Sequence, residues 1–210
     1  MTEEEWLDTN TAPWLIDYIA ERTSERKLRL FACAACRRIW SVMQYEVSRQ
    51  AVEFSERYAE GQGTLEELGR LERVAEDYAD LAEQAQLRGW NAARTAARAA
   101  AEQAQVAAQR AAEKAADLDL VREHFGNPFR PLTLSPDLLS WQDKTVVRLA
   151  QAAYDDRRLP SGILDNTRLA ILADALEEAG CAAEQILTHL GGGGAHYRGC
   201  WAIDLLLGKT

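Results

Sequence analysis

Apolar side chains recur every three or four residues along most of this chain, which is the spacing that places them on one face of an α-helix. The alternating pattern of a half-buried strand is nearly absent, and only five prolines interrupt the chain. The segment 24–43, with Ser24 as its expected N-cap, is apolar on two sides, which is typical of a helix at the centre of a bundle. One stripe contains Leu28, Phe31, Ala32, Ala35 and Ile39, and another side carries Leu30, Cys33 and Trp40. The pattern therefore predicts an all-α protein, folded as a helical bundle.

An alanine-rich segment occupies the middle of the chain. Thr64 and Glu67 have the spacing of a capping box, which predicts the start of a helix at this point. Alanine has the highest helix propensity, so the segment 92–116 is predicted to be helical as well. We expect one long helix or a helical hairpin here, packed against the apolar face of the preceding helix. That face carries Val74, Tyr78 and Leu81.

The clearest break in the helical pattern is Gly126–Pro131, where two prolines and a glycine stop a helix and favour an extended crossover. Beyond it, Ser135 is expected to cap a helix, and the last helix is expected to run from about His196 to Leu207. We predict a single all-α domain, 1–210. Its parts are an N-terminal helical group 1–63, an alanine-rich region 64–125, a crossover 126–136 and a C-terminal helical group 137–210.

The chain is acidic, with a net charge of -9 and a pI of about 5.0. This charge opposes binding to nucleic acid and to anionic membranes, because both of these partners are negative. A local excess of basic residues is interpreted as a solvated helix face. It consists of Arg88, Arg94, Arg98, Arg110 and Lys114.

The N-terminus lacks the pattern of a secretory signal, and no run approaches the roughly 20 apolar residues that span a bilayer. The sequence thus predicts a cytoplasmic protein with reduced thiols and no membrane partner.

Three thiols and one imidazole form the candidate site. Cys33 and Cys36 are three residues apart, and His196 and Cys200 are four residues apart. On helices, each of these pairs would point in one direction. A set of three cysteines and one histidine satisfies the tetrahedral preference of zinc, and two facing helices could supply it. We therefore predict a structural zinc site with these four residues as ligands.

Alternative interpretations of the cysteines stay open. Free cysteine is among the most buried residue types, so Cys33 and Cys36 could simply be packed core within an alanine-rich helix. A thioredoxin-like redox pair is disfavoured, because such a pair lies at a helix N-terminus after a strand. Arg37 and Arg38 lie beside the thiols and are expected to favour thiolate, the form that binds metal. Cys181 is interpreted as structural, although it could replace one of the ligands.

The remaining candidates for chemistry have simpler interpretations. His124 and His189 each lie near a predicted helix end, where a cation interacts favourably with the helix dipole. The glycine run 191–194 lacks the Lys-Ser/Thr ending of a phosphate-binding loop and is interpreted as a linker. Adjacent acids such as Asp155 and Asp156 diverge on a helix, so they do not form a pair for acid/base catalysis.

Several stretches of the sequence combine into a specific pattern. They are Glu5-Trp6-Leu7, RKLRLFAC at 26–33 with CRRIW at 36–40, FGNPFRP at 125–131, LADALEEAGC at 172–181 and His196-x-Arg198-Gly199-Cys200-Trp201. Together they resemble a large paralogous family of planctomycete-type bacterial proteins without an established activity. The resemblance covers nearly the whole chain and implies that the front and back motifs belong to one architecture. Family members often carry a third cysteine where this chain has Ala35, so the resemblance leaves the number of thiol ligands open.

The leading functional hypothesis is a non-enzymatic helical module for protein interaction or regulation, with structural zinc as its expected cofactor and a protein as its partner. It rests on the lack of a catalytic constellation and on the ample helical surface. The first alternative is a metal-dependent enzyme that uses the Cys/His cluster, in which zinc would keep one coordination position open for water. The second is a nucleic-acid accessory protein, with Arg88, Arg94 and Arg98 on the phosphate backbone and strongly salt-dependent binding.

Overall fold

A computed structural model describes residues 1–87, 90–99, 103–114 and 117–209 of the chain. This part is mostly helical and contains one short two-stranded antiparallel sheet, which confirms the all-α prediction. The N-terminal α-helices are α1 (Glu3–Asp8), α2 (Ala12–Ala20), α3 (Glu25–Arg38), α4 (Glu46–Ala59), α5 (Leu65–Gln84), α6 (Trp90–Ala99), α7 (Ala104–Lys114) and α8 (Leu118–Phe125). The remaining elements are α9 (Pro136–Asp155), β1 (Arg157–Arg158), β2 (Ile163–Leu164), α10 (Asn166–Glu178), α11 (Glu184–Gly191) and α12 (Trp201–Leu207).

Helix starts agree with the capping residues read from the sequence. Ser24, Thr64 and Ser135 each accept a hydrogen bond, at 3.2 Å, from the backbone N–H three residues later. Glu67 completes the predicted capping box, because its carboxylate accepts a hydrogen bond of 2.9 Å from the backbone N–H of Thr64. These side chains satisfy N–H groups that the first turn of a helix leaves without a partner.

The chain divides into two compact units, Met1–Arg122 and Glu123–Thr210, and the boundary falls within α8. The first unit is built around α3, in which every residue from Leu28 to Arg37 is buried. Helices α4, α6 and α7 pack against α3, as expected for a helix that is apolar on two sides. This helix ends at Arg38, before the predicted Met43, and a 3-10 turn at Trp40–Val42 follows it. The prediction of a single domain stays a prediction.

The alanine-rich segment forms separate helices, of which α6 and α7 pack against each other. Helix α6 also packs against α5, but not through the predicted residues. Val74, Tyr78 and Leu81 are 47%, 44% and 62% exposed, so this part of the prediction was wrong. The buried face of α5 instead carries Leu68, Ala75, Ala79 and Ala82. The three alanines let helix backbones approach closely, and Val74, Tyr78 and Leu81 lie on the more exposed face.

The second unit has its own core, which α9, α10, α11 and α12 supply. Residues between α8 and α9 form no helix, in agreement with the predicted crossover. Gly126 in this segment has a φ of +62°, and a Cβ there would lie 3.1 Å from the Trp201 ring, so the position favours glycine.

Helix α9 contains a left-handed turn that the sequence did not predict. Gln142, Asp143 and Lys144 have φ values of 43°, 57° and 63°.

The C-terminal end of the chain departs from the predicted helix His196–Leu207. Helix α12 begins at Trp201, and the residues from His196 to Cys200 form an irregular segment that ends in a turn. Gly199 has a φ of +92° in this turn, a conformation that glycine adopts without strain and that interrupts a helix. Among the described residues, the structure contains no helix that is both long enough and apolar enough to cross a membrane.

Candidate metal centre

Four side chains with metal-binding atoms converge in the second unit. Glu123 lies on α8, His189 on the last turn of α11, His196 in the irregular segment after the glycine run, and Cys200 directly before α12. One ligand atom from each residue lies within 4.8 Å of all the others. Three separate regions of the chain therefore meet at one point: α8, the end of α11 and the segment 196–200.

The distances between the four ligand atoms are short. Glu123 Oε2 lies 3.0 Å from His189 Nε2 and 3.1 Å from His196 Nδ1. Cys200 Sγ lies 3.2 Å from His189 Nε2 and 3.9 Å from His196 Nδ1. A tetrahedral zinc ion with bonds of about 2.0–2.3 Å would place its ligand atoms about 3.3–3.8 Å apart. These four distances lie within about 0.3 Å of this range, all six are at most 4.8 Å, and each donor type is a common zinc ligand.

Backbone hydrogen bonds hold the irregular segment in place. The carbonyl of His196 accepts a hydrogen bond of 2.8 Å from the N–H of Leu164 on β2. The N–H of Cys200 donates to the carbonyl of Tyr197 at 3.0 Å, which closes the turn and brings Cys200 back toward His196. The N–H of Tyr197 donates to Glu123 Oε1 at 3.3 Å. The same segment therefore carries two donors and also orients a third.

The pKa values of the Glu123 carboxyl and the Cys200 thiol shift in opposite directions. Burial opposes ionisation of Glu123, but hydrogen bonds from His189 and His196 outweigh it and lower the pKa of the carboxyl to about 2. Burial raises the pKa of the Cys200 thiol well above its usual value, and the negative charge of Glu123 raises it further. Cys200 is fully buried and protonated, so it is a poor nucleophile on its own. A metal ion would displace its proton and bind the thiolate.

The structure brings together two of the four ligands predicted from the sequence. His196 and Cys200 belong to the cluster, although they lie on a turn and not on the predicted helix. Cys33 and Cys36 are not members of it and lie in the first unit. Their Sγ atoms contact backbone carbonyls in that unit, Cys33 with Val52 at 3.8 Å and Cys36 with Thr95 at 3.7 Å. A site that also includes Cys33 and Cys36 stays a prediction.

The charge of Arg37 lowers the pKa of both CxxC thiols, as expected, but burial outweighs it. Arg37 is buried and forms hydrogen bonds of 2.7 and 3.0 Å with the carboxylate of Glu56. Burial raises the pKa of Cys33 to about 12, and the charge of Glu56 adds to the effect. Burial likewise raises the pKa of Cys36 well above its usual value. Both thiols are therefore protonated core groups, which disfavours redox or nucleophilic chemistry at the CxxC motif.

Sequence reasoning missed two donors, Glu123 and His189. His189 was interpreted as a helix-end cation, which its position in the last turn of α11 supports in part. A stronger signal was available, since His189, His196 and Cys200 lie within twelve residues and flank a glycine run that lets the chain reverse. Glu123 carries no comparable signal. It lies 66 residues before His189, and a lone glutamate in a helix is usually a solvated side chain.

The basic residues that suggested nucleic-acid binding are largely neutralised where the structure describes them. Arg94 lies within 3.1 Å of Glu76 and within 2.6 Å of both Asp80 and Glu83. Arg110 pairs with Glu113 at 3.3 Å. Arg88 and the side chains of Arg98 and Lys114 lie outside the described residues. Guanidinium groups that are already paired with carboxylates offer little attraction to phosphates.

Comparison of the chain with protein-family models, with curated proteins and with solved structures gives no match. The chemistry of this protein therefore has to be inferred from its own residues. Within the described residues, the cluster of Glu123, His189, His196 and Cys200 is the group whose donors and spacing could hold a metal ion.

Proposed function

We propose that this protein is a helical interaction or regulatory module whose C-terminal unit is stabilised by a structural zinc ion. The ligands are Glu123, His189, His196 and Cys200, which replace the set predicted from the sequence. The observation that carries this proposal is the convergence of four donors from three regions of the chain within 4.8 Å. A metal that joins distant segments contributes its binding free energy directly to folding.

The number of protein donors favours a structural role over a catalytic one. Structural zinc sites are closed by four protein ligands, whereas catalytic sites use three and keep one position for water. All four positions of a tetrahedron can be filled here by the chain itself. Cys200 and His196 are also almost fully buried, so substrate has little access to the metal from their side.

The interaction role is supported by apolar surface on the first unit. Val74, Tyr78 and Leu81 are spaced three or four residues apart on α5 and are each more than two-fifths exposed. Apolar residues exposed together on one helix face are typical of protein-binding surfaces. The net charge of -9 favours a protein partner over nucleic acid.

Metal analysis of the full chain, purified without a polyhistidine tag, tests the zinc site. We expect one zinc per chain in the wild type, and loss of zinc in Cys200→Ser and His196→Gln. Cys181→Ser is the matched control, because this cysteine lies in the same unit but outside the cluster, and it should keep its zinc. A wild type that binds no zinc at micromolar free metal would refute the proposal.

The same measurement separates the two ligand sets. Cys36→Ala should keep a full equivalent of zinc if the ligands are Glu123, His189, His196 and Cys200. Loss of zinc in Cys36→Ala with normal helicity by circular dichroism would instead favour the Cys33, Cys36, His196 and Cys200 set.

A further inference from the structure

We propose that His189 is an exchangeable ligand and that a small Lewis base from solution, such as imidazole or azide, can take its place on the metal. This inference rests on the metal site proposed above and adds a ligand-binding position to it. Glu123, His196 and Cys200 hold the metal permanently, and His189 closes the fourth position in the absence of an external donor.

The four donors differ in their access to solvent. The side chain of His189 is 19% exposed, whereas those of Glu123 and His196 are 7% and 3% exposed. Cys200 is fully buried. A neutral imidazole at the solvent boundary can leave the metal and be hydrated at small cost. Removal of Glu123 or Cys200 from the metal would leave an anionic or strongly desolvated group in the interior, which costs far more.

The four donors also differ in how the backbone holds them. Glu123 is oriented by the N–H of Tyr197, and the backbone of His196 is tied to β2 through Leu164. The carbonyl of Cys200 accepts the N–H of Asp204 at 2.9 Å, which begins the hydrogen bonding of α12. These contacts place three donors on a common, hydrogen-bonded framework.

His189 is positioned by helix α11 and not by the segment that carries His196 and Cys200. It lies in the last turn of the eight-residue helix α11, directly before the run Gly191–Gly194. The next residue, Leu190, is buried in the core, and Asn166 donates hydrogen bonds of 3.0 Å to the carbonyls of Gly193 and Gly194, so this turn stays in place. His189 leaves the metal by rotation of its side chain toward solvent. The His189 ring packs beside Trp201, with 5.0 Å between ring centroids, and departure of His189 would leave that ring as one wall of the vacated position.

The asymmetry makes the site resemble a three-ligand metal centre with a protein-derived fourth ligand. Three protein ligands with one exchangeable position are the arrangement in which zinc binds external ligands. The position fits a small monodentate donor, because it is bounded by His196 at 4.8 Å between ring centroids and by the Trp201 ring.

Cobalt(II) substitution of the full chain tests the inference, since the visible spectrum of bound cobalt reports its ligands. We expect the wild-type spectrum to change saturably when imidazole or azide is added. His189→Ala should still bind one cobalt per chain and should bind imidazole at least about tenfold more tightly than the wild type, because no protein ligand competes. In this variant, added imidazole should restore a spectrum close to that of the wild type.

His196→Ala is the matched control, because it removes an imidazole from the same site on the buried side. It should lose cobalt and should not recover it with imidazole at the same concentration. A wild-type spectrum that does not change at saturating imidazole, with one cobalt bound, would overturn the exchange of His189 and leave the metal site intact. Loss of cobalt in His189→Ala as complete as in His196→Ala would also overturn it. Failure of the wild type to bind cobalt or zinc would remove the proposed function itself.

Discussion

Ionisable side chains in this protein respond to burial in different ways, according to the hydrogen bonds they receive. Glu123 stays ionised in the interior because two imidazoles and one backbone N–H direct polar hydrogens at its carboxylate. For Cys33 and Cys36, the charge of Arg37 lowers the thiol pKa values, but burial and the charge of Glu56 outweigh it. Their pKa values are therefore raised, and the thiols stay protonated at neutral pH. The ionised carboxylate of Glu123 can bind a metal ion directly, whereas the protonated thiols of Cys33 and Cys36 pack as core side chains.

Thiol labelling of the metal-free protein follows from this difference. At pH 8, far below the pKa of about 12 of Cys33, we expect one of the four thiols to react quickly with a disulfide reagent. That thiol is Cys181, because Cys33, Cys36 and Cys200 are buried. The rapid reaction should disappear in Cys181→Ser, and all four thiols should react in denaturant. Rapid labelling of Cys33 or Cys36 in the native protein would contradict the buried state.

Helix packing in the first unit depends on side-chain size. Helix α5 buries Leu68 in its first turn, but further along it buries alanines and leaves Val74, Tyr78 and Leu81 partly exposed. Ala75 and Ala79 are fully buried, so a larger side chain at either position would have to displace its neighbours. In the second unit, the turn that contains Gly199 brings Cys200 Sγ to 3.9 Å from His196 Nδ1, although neither residue lies in a helix.

A pair of substitutions on α5 measures this preference. Ala79→Leu should lower the free energy of unfolding by about 1–3 kcal/mol, because Ala79 is fully buried and the contact cannot expand freely. Leu81→Ala should change it by less than about 0.5 kcal/mol, because Leu81 is 62% exposed. Urea denaturation followed by circular dichroism provides both values. A larger loss in Leu81→Ala than in Ala79→Leu would mean that the outer face of α5 is the packed one.

At the scale of the whole molecule, the four donors all belong to the unit Glu123–Thr210, and the buried CxxC motif belongs to Met1–Arg122. Each unit has its own buried residues. Stabilisation by a bound ligand acts on the structure that the ligand holds together, by mass action. Metal binding should therefore protect one part of the chain selectively.

Hydrogen exchange followed by mass spectrometry can detect this selectivity. With free zinc at 100 times its Kd, the metal should add about 2.7 kcal/mol to the stability of the unit that binds it. We expect slower exchange in peptides from Glu123–Thr210 and unchanged exchange in peptides from Met1–Arg122. His196→Gln should abolish the difference. Equal protection in both units would favour a site shared between them, as the sequence alone predicts.

Local patterns were sufficient to predict the helical class, three helix caps and the crossover after Phe125. Helix propensity, capping and proline chemistry act over a few residues, so the identity of neighbouring residues settles them. The same patterns identified His196 and Cys200 as candidate ligands. The relationship to the planctomycete-type family stays a prediction.

Long-range packing provided what those patterns could not. Glu123 lies 73 residues before His196, and no periodicity in the sequence connects them. The left-handed conformation at Gly199, which makes the last helix begin later than predicted, occurs in a segment that is hydrogen-bonded to Leu164 on β2 and to Glu123 on α8. On α5, alanines are buried where Val74, Tyr78 and Leu81 stay partly exposed, and the positions of the neighbouring helices determine which face is covered. These features arise from contacts between segments far apart in the chain, and each contact depends on the positions of all the others.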